Sequence, residues 1–177
     1  MSTTLSKYRS HEGALTGYDL KIAVVVSRFN SLVTEKLLDG CIATLSRHGV
    51  DSKNIHVFWV PGAFDIPYMA AKCTKEHHFS AIITLGCVIR GETSHYDFVA
   101  GECASGLTQL NRKGKTPVVF GVLTTETLEQ ALDRVGGKHG HKGADAALAA
   151  LELANLSTTI EGLEPSPADQ KALTYQI

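Results

Sequence analysis

Four short segments of the chain combine residue types that are unusual in ordinary loops. They are Ser27-Arg28-Phe29-Asn30, Pro61-Gly62-Ala63-Phe64-Asp65, Gly91-Glu92-Thr93-Ser94-His95 and Thr124-Thr125. Each follows a segment that is predicted to form a strand. Ligands of open, parallel α/β sheets bind at the carboxyl ends of the strands. The sequence therefore predicts a ligand site where these four segments meet.

Aromatic and acidic residues in two of these segments have two possible roles. Phe29 and Phe64 stand where a loop is normally polar, so they could stack on a planar ring. The alternative is that each ring packs under the edge of the sheet. Asp65 could bind a ligand, or it could cap the helix that follows it.

The Gly91–Ser94 segment leads into a helix and has the composition of an anion site. Free backbone amides and the positive end of the helix dipole attract an anion, and glycine allows its close approach. The Glu92 side chain must point away, which leaves the amides to bind. His95 falls in the first turn, where the dipole favours a neutral imidazole that can accept a proton. An ordinary surface histidine is the alternative.

Residues 134–143 alternate between basic residues and glycines. The basic residues are Arg134, Lys138, His139, His141 and Lys142, and the glycines are Gly136, Gly137, Gly140 and Gly143. This pattern predicts a flexible cationic loop suited to a phosphate or a polyol. The alternative is that the cations stabilise a helix C-terminus. No G-x-G-x-x-G follows the first strand, and Gln109 stands where a P-loop would need its first glycine. Enzymes that use dinucleotides or nucleoside triphosphates are therefore disfavoured.

The elements that would position these segments alternate along the chain. We predict strands over Ile22–Val26, Ile55–Val60, Ala81–Ile89 and Val118–Leu123. Helices are predicted through Val33 to Leu45 with Gly49 after the end, Pro67 to His77, His95 to Asn111, Thr127 to Val135, and Ala144 to Leu156. Thr127 and Gln130 fit a capping box. This order predicts an α/β fold, a three-layer αβα sandwich around a four-stranded, mainly parallel, flavodoxin-like sheet.

The composition favours one compact domain. The 177 residues are 44% hydrophobic and carry a formal net charge of −1, without a basic block that would follow a phosphate backbone. The longest apolar run, Ile22 to Val26, is far shorter than the roughly 20 residues of a membrane span. We expect no nucleic-acid or membrane partner. The first 17 residues hold no apolar block, which favours a cytoplasmic location.

Cysteine and histidine spacings indicate neither disulfides nor a metal site. The cysteines fall inside predicted elements without a C-x-x-C pair, so we expect reduced core residues at Cys41, Cys73, Cys87 and Cys103. His77-His78 and His139-x-His141 lack a third ligand at a recognisable spacing. No bound metal is expected.

Four ordered motifs resemble the 6,7-dimethyl-8-ribityllumazine synthase family. They are Ser27-Arg28-Phe29-Asn30, Pro61-Gly62-Ala63-Phe64-Asp65-Ile66-Pro67, the twelve-residue Gly86-Cys87-Val88-Ile89-Arg90-Gly91-Glu92-Thr93-Ser94-His95-Tyr96-Asp97, and Lys138-His139-Gly140-His141-Lys142-Gly143. The resemblance covers about Gly13 to Leu156. We therefore expect a domain over residues 13–156, an N-terminal arm over 1–12 that packs on a neighbouring subunit, and a mobile polar tail over 157–177.

The resemblance implies a reaction without a cofactor. It is the condensation of 5-amino-6-(D-ribitylamino)uracil with 3,4-dihydroxy-2-butanone 4-phosphate, which gives 6,7-dimethyl-8-ribityllumazine, phosphate and water in the penultimate step of riboflavin synthesis. His95 would move protons, and phosphate would be held by the Glu92 and Thr93 amides with Arg134. The pyrimidine and its ribityl chain would be held by Phe29, Ala63, Phe64, Asp65, Cys87, Val88, Ile89, Phe120 and Lys142.

The resemblance also implies an oligomer. The family forms pentamers and in part shells of twelve pentamers, with sites completed by Phe120, Arg134 and Lys142 of the neighbouring chain, and riboflavin synthase is a candidate partner. This sequence departs from the common family pattern at Asp65, often Glu, and at His141, often Asn. The fold alone would also allow a non-catalytic flavodoxin-like module that binds a flavin or phosphate, or a structural cage.

Overall fold

The protein is described by a computed structural model over residues 8–75 and 79–163. Four parallel strands form one sheet in the order β2-β1-β3-β4, with β1 at Ile22–Ser27, β2 at Ile55–Val60, β3 at Ala81–Ile89 and β4 at Val118–Thr125. The helices are α1 at Ser31–Arg47, α2 at Ile66–Lys75, α3 at His95–Arg112, α4 at Leu128–Leu132 and α5 at Lys142–Glu161. A small hairpin of β5, Val135–Gly137, and β6, Gly140–His141, lies between α4 and α5.

The sheet is covered on both faces. All six residues of β1 are buried, as expected for a β-branched run in a central parallel strand. Successive residues alternate between two apolar clusters. Val24 and Ile83 pack with residues of α1 and α5, whereas Val25 and Ile82 pack with residues of α2 and α3. The predicted α/β class with a parallel four-stranded sheet is confirmed, and the loops after the four strands share one edge.

The segment between α4 and α5 differs from its prediction. Helix α4 ends at Leu132 instead of Val135, and residues 135–141 form an antiparallel hairpin instead of a flexible loop. Gly136 and Gly140 adopt positive φ angles of 108° and 76°, which glycine tolerates and which turn the chain back on itself. The Thr127 Oγ1 atom accepts a bond from the Gln130 amide as predicted, but the Gln130 side chain bonds the amide of residue 126.

Helix α5 is longer than predicted at both ends. The His141 Nδ1 atom accepts a bond from the Ala144 amide at 3.4 Å, so His141 serves as an N-cap, a position that also suits Asn. The helix continues to Glu161, and in its last turns the hydroxyl groups of Ser157, Thr158 and Thr159 bond the backbone carbonyls four residues earlier. These polar residues lack the apolar periodicity from which helices are predicted.

The chain before β1 lies on α5 of the same subunit. The Asn155 Nδ2 atom donates to the carbonyls of Ala14 and Thr16 at 2.8 and 2.9 Å. Residues 1–7 and 164–177, the predicted end of α2 near His77, and the His77-His78 pair lie outside the described residues. In the described part of the chain, no helix is long and apolar enough to span a membrane.

Candidate functional site

A cavity of about 400 Å³ lies at the carboxyl edge of the sheet, where three of the four segments meet. Its wall combines exposed aromatic rings, the apolar end of β3 and the first turns of α3. The lining residues are Phe29, Gly62, Ala63, Phe64, Cys87, Val88, Ile89, Gly91, Thr93, His95, Tyr96 and Val99. Such an apolar cavity with a few polar groups is typical of a small-molecule site.

The loop between β1 and α1 is tied to its neighbours by hydrogen bonds. The Phe29 amide donates to the Pro61 carbonyl at 3.1 Å. Asn30 has a left-handed backbone, φ 61°, and its Nδ2 atom donates to the Cys87 carbonyl at 2.9 Å. These bonds leave the Phe29 side chain 70% exposed at the cavity. The ring does not pack under the sheet.

The segment after β2 forms a single 3₁₀ turn, Ala63–Asp65. The Asp65 Oδ2 atom accepts a bond from the Gly62 amide at 2.9 Å, so the carboxylate stabilises this turn. Ala63 is buried in the wall, whereas the Phe64 ring is 60% exposed at the cavity. The Asp65 bond runs back to Gly62 and not to an amide of α2, so it differs from the predicted cap of the following helix, and it occupies one carboxylate oxygen.

The end of β3 supplies the apolar floor through Cys87, Val88 and Ile89. Cys87 is 2% exposed, and this burial raises the pKa of its thiol to about 11. The thiol is therefore neutral at physiological pH and is not a prepared nucleophile. The Cys87 carbonyl accepts a hydrogen bond from Asn30, so a ligand that also bonds this carbonyl would share it with Asn30.

The Gly91–Ser94 loop and the start of α3 close the cavity. His95 is the first residue of α3 and is exposed, and its amide donates to Thr93 Oγ1 at 3.4 Å. Thr93 lines the cavity, whereas Glu92 is exposed and does not line it. This placement agrees with a Glu92 side chain that leaves the anion to the backbone. Among the described residues, the lining contains neither Lys nor Arg.

Five of the predicted site residues do not line this cavity in one chain, namely Asp65, Glu92, Phe120, Arg134 and Lys142. Phe120 and Lys142 line a second cavity of about 290 Å³ between β4 and α5. The Lys142 Nζ atom pairs with Asp145 at 2.8 Å, and the Arg134 Nη1 atom donates to the Gln130 carbonyl at 2.6 Å. Phe120 is 47% exposed on β4, which lies at the edge of the sheet.

Residues that the sequence reasoning did not single out also shape the site. Asn30 joins the loop after β1 to the end of β3, Tyr96 lines the cavity, and Arg90, directly before the Gly91–Ser94 loop, pairs with Asp97 and Glu126. The position of Arg90 indicates a structural role, because a charged residue directly after a buried strand needs polar partners. Its two acidic partners were not identifiable from spacing.

No group of three or more His, Cys, Asp or Glu residues that could hold a metal ion occurs in the ranges 8–75 and 79–163. A sequence comparison with known protein families gives a match to the family described as 6,7-dimethyl-8-ribityllumazine synthase, over residues 19–158. The matched range runs from before β1 into α5 and includes every residue that lines the cavity.

Proposed function

The chain belongs to the 6,7-dimethyl-8-ribityllumazine synthase family, and we propose that its reaction takes place in the cavity at the carboxyl edge of the sheet. The enzyme is a transferase that condenses 5-amino-6-(D-ribitylamino)uracil with 3,4-dihydroxy-2-butanone 4-phosphate, the penultimate step of riboflavin synthesis. The observation that carries the site is one cavity lined by two exposed phenylalanine rings, by Gly91 and Thr93 of the loop before α3, and by His95.

In this proposal, the pyrimidine binds on the aromatic side. The exposed Phe29 ring stacks on the heterocycle, and Ala63, Phe64 and Asp65 contact its edge and the ribityl hydroxyls. Backbone groups of Cys87, Val88 and Ile89 read the uracil edge. Asp65 retains one carboxylate oxygen beyond the bond to Gly62, and that oxygen is available to a hydroxyl.

The phosphate substrate binds at the start of α3. The amides of Glu92 and Thr93 donate to the phosphate near the N-terminus of this eighteen-residue helix. The amine of the first substrate attacks the ketone of the second, water leaves as the imine forms, and phosphate is then eliminated. The elimination leaves a carbonyl on the neighbouring carbon, and the ribitylamino nitrogen closes the ring onto it with loss of a second water. His95 accepts and returns the protons in these steps. Because the substrate supplies its own nucleophile, the enzyme mainly contributes proximity, anion binding and proton transfer.

We further propose that neighbouring subunits share each site. The cavity lining offers no Lys or Arg among the described residues, although a phosphate favours a cationic partner. Arg134, Lys142 and the exposed Phe120 lie elsewhere on the chain and would complete the site of an adjacent subunit. The proposed assembly is a pentamer, with a shell of 60 subunits as its larger form, riboflavin synthase as a partner, and the cytoplasm as the location.

The direct test mixes purified protein with both substrates without metal or nucleotide. The expected products are 6,7-dimethyl-8-ribityllumazine and one phosphate per turnover. Fluorescence measures the formation of the lumazine. His95→Ala serves as the matched variant and should lose roughly 10- to 100-fold in turnover, at or below the low end of general acid-base effects. A wild-type protein that binds a flavin or assembles into a cage without turning over authentic substrates would contradict the proposal.

A further inference from the structure

Arg90 lies between the end of β3 and the Gly91–Ser94 loop and makes contacts with three side chains. Its Nε atom is 2.9 Å from Glu126 Oε2, and its Nη1 atom is 3.2 Å from Asp97 Oδ1. Its guanidinium carbon lies 4.0 Å from the centre of the Tyr96 ring. The Arg90 amide also donates to the Thr125 carbonyl at 2.9 Å.

These contacts join the two ends of the Gly91–Ser94 loop, which is called the anion loop below. Arg90 immediately precedes the loop, whereas Tyr96 and Asp97 belong to the first turn of α3 that follows it. Glu126 lies between β4 and α4 and fixes the guanidinium from a third element. One side chain therefore sets the distance between the end of β3 and the start of α3.

The loop itself has few contacts of its own. Residues 91–95 are all exposed, and a Cβ atom placed on Gly91 would meet nothing within 4 Å. The hydrogen bond from the His95 amide to Thr93 Oγ1 is long, at 3.4 Å. The Asp97 amide also donates to the Ser94 carbonyl at 3.0 Å, at the junction with α3. With so few contacts of its own, the loop takes its conformation mainly from its two ends.

We infer that Arg90 is a positioning residue, which holds the Glu92 and Thr93 amides and the His95 ring in the arrangement that binds the phosphate substrate. The inference rests on the proposed site. Only arginine offers a planar fork that can bond two carboxylates while its face lies on Tyr96, whereas lysine offers a single point charge. The role therefore depends on the shape of the side chain as well as on its charge.

We expect the loss of the Arg90 ion pairs to change the free energy of unfolding little and to change catalysis strongly. The Arg90 side chain is 37% exposed and both acidic partners are 59% exposed, and exposed ion pairs contribute little to folding. A shift of about 1 Å in a reacting group can nevertheless cost roughly 100-fold in rate. This difference separates a positioning role from a purely structural one.

The test compares steady-state kinetics of Arg90→Gln and Arg90→Lys with the wild-type enzyme. We expect Arg90→Gln to raise KM for the phosphate substrate about 10-fold and to lower kcat by a similar factor, with KM for the pyrimidine nearly unchanged. Arg90→Lys should recover part of the loss. Lys53→Gln is the control, because it removes an exposed pair, Lys53 with Asp51 at 2.9 Å, away from the cavity.

Hydrogen exchange gives a readout that does not depend on activity. Amides of residues 91–97 should exchange faster in Arg90→Gln than in the wild type, with α1 and α5 unchanged, and Asp97→Asn should show a smaller increase. Unchanged exchange, or equal rises of both KM values, would overturn the inference. If the wild type is active and the Arg90→Gln variant is unaffected, only the positioning role of Arg90 is overturned. If the wild type itself is inactive, the proposed function is overturned as well.

Discussion

Gly143, in the first turn of α5, packs against the backbone carbonyl of Leu37 in the middle of α1. A Cβ atom at residue 143 would overlap the Leu37 oxygen, so the two helices approach as closely as their backbones allow. This contact also fixes the hairpin that precedes α5, because Lys142 and His141 are its immediate neighbours. The glycine in the basic segment thus has a packing role, in addition to any role of the cations beside it.

Gly143→Ala should destabilise the protein by about 2 to 3 kcal/mol, since the added methyl group meets rigid backbone and one helix must move. Urea unfolding measures the change. Gly101→Ala in α3 is the matched control, because residue 101 is exposed and its added Cβ meets no atom within 4 Å. That variant should gain about 1 kcal/mol from helix propensity. Equal effects of the two substitutions would show that the α1–α5 contact is not tight.

The strands were predictable because their signal is local. Ile55–Val60 and Ala81–Ile89 have the predicted bounds. Ala81–Ile89 is an apolar run in a strand that is buried almost throughout, whereas Ile55–Val60 is an edge strand that its β-branched and aromatic residues still identify. The β5–β6 hairpin was missed because it consists of three residues opposite two, stabilised by turns at Gly136 and Gly140. No apolar alternation of useful length exists in such a segment.

The sequence predicts where the site lies, but it does not predict the hydrogen bonds and ion pairs that shape the site. Parallel strands bring the loops after β1, β2 and β3 together, so the topology alone places Phe29, Phe64 and His95 at one cavity. The Asn30 bond to Cys87 and the Arg90 pair with Glu126 join residues 57 and 36 positions apart. Such pairs depend on the register of whole strands, which a single sequence does not specify.

Phe29 should contribute to pyrimidine binding by stacking. Phe29→Trp should keep activity, whereas Phe29→Ser should raise KM for the pyrimidine roughly 10-fold, which corresponds to the loss of one stacking contact. KM for the phosphate substrate should change little. Because the ring is 70% exposed, the free energy of unfolding should also stay nearly constant. Leu32→Ser, an exposed apolar residue outside the cavity lining, is the control. Equal effects on both substrates would indicate a structural role for Phe29.

Buried thiols should make the protein sensitive to alkaline pH. Burial raises the pKa of Cys41 from 9.0 to about 12, and the pKa values of Cys87 and Cys103 to about 11. Above about pH 9 the unfolded chain loses thiol protons that the folded chain retains. The stabilisation is therefore complete below pH 9 and is lost as the pH rises toward the folded values, by at most about 1.4 kcal/mol per pH unit for one thiol.

Urea unfolding in the presence of a reductant at pH 7.5, 9 and 10 measures this loss. Other groups also titrate in this range, so the informative quantity is the difference in slope between the wild type and Cys41→Ala. The variant starts less stable, because a buried side chain is shortened, but its stability should fall less steeply above pH 9. Parallel slopes would contradict the assignment of a strongly raised pKa to Cys41.

Arg134 should act selectively on the phosphate substrate. Its planar fork can hold two phosphate oxygens, whereas lysine offers one point charge, so Arg134→Lys should weaken that substrate by about 1 to 3 kcal/mol. KM for the pyrimidine should stay within about twofold of its original value. A similar loss for both substrates would instead point to a distorted α4–β5 segment, since the Arg134 side chain also bonds the Gln130 carbonyl.

Mixing two impaired variants tests whether neighbouring chains share a site. In the described chain, His95 lines the main cavity and Arg134 does not, so the proposal assigns them to different subunits of one site. Arg134→Ala and His95→Ala subunits, unfolded together and reassembled, should form some interfaces at which both residues are intact. Activity should then exceed that of either variant reassembled alone. Mixed oligomers, verified by differently tagged subunits, that show no such recovery would mean that each chain builds its own site, and Arg134 would then have no place in the phosphate clamp.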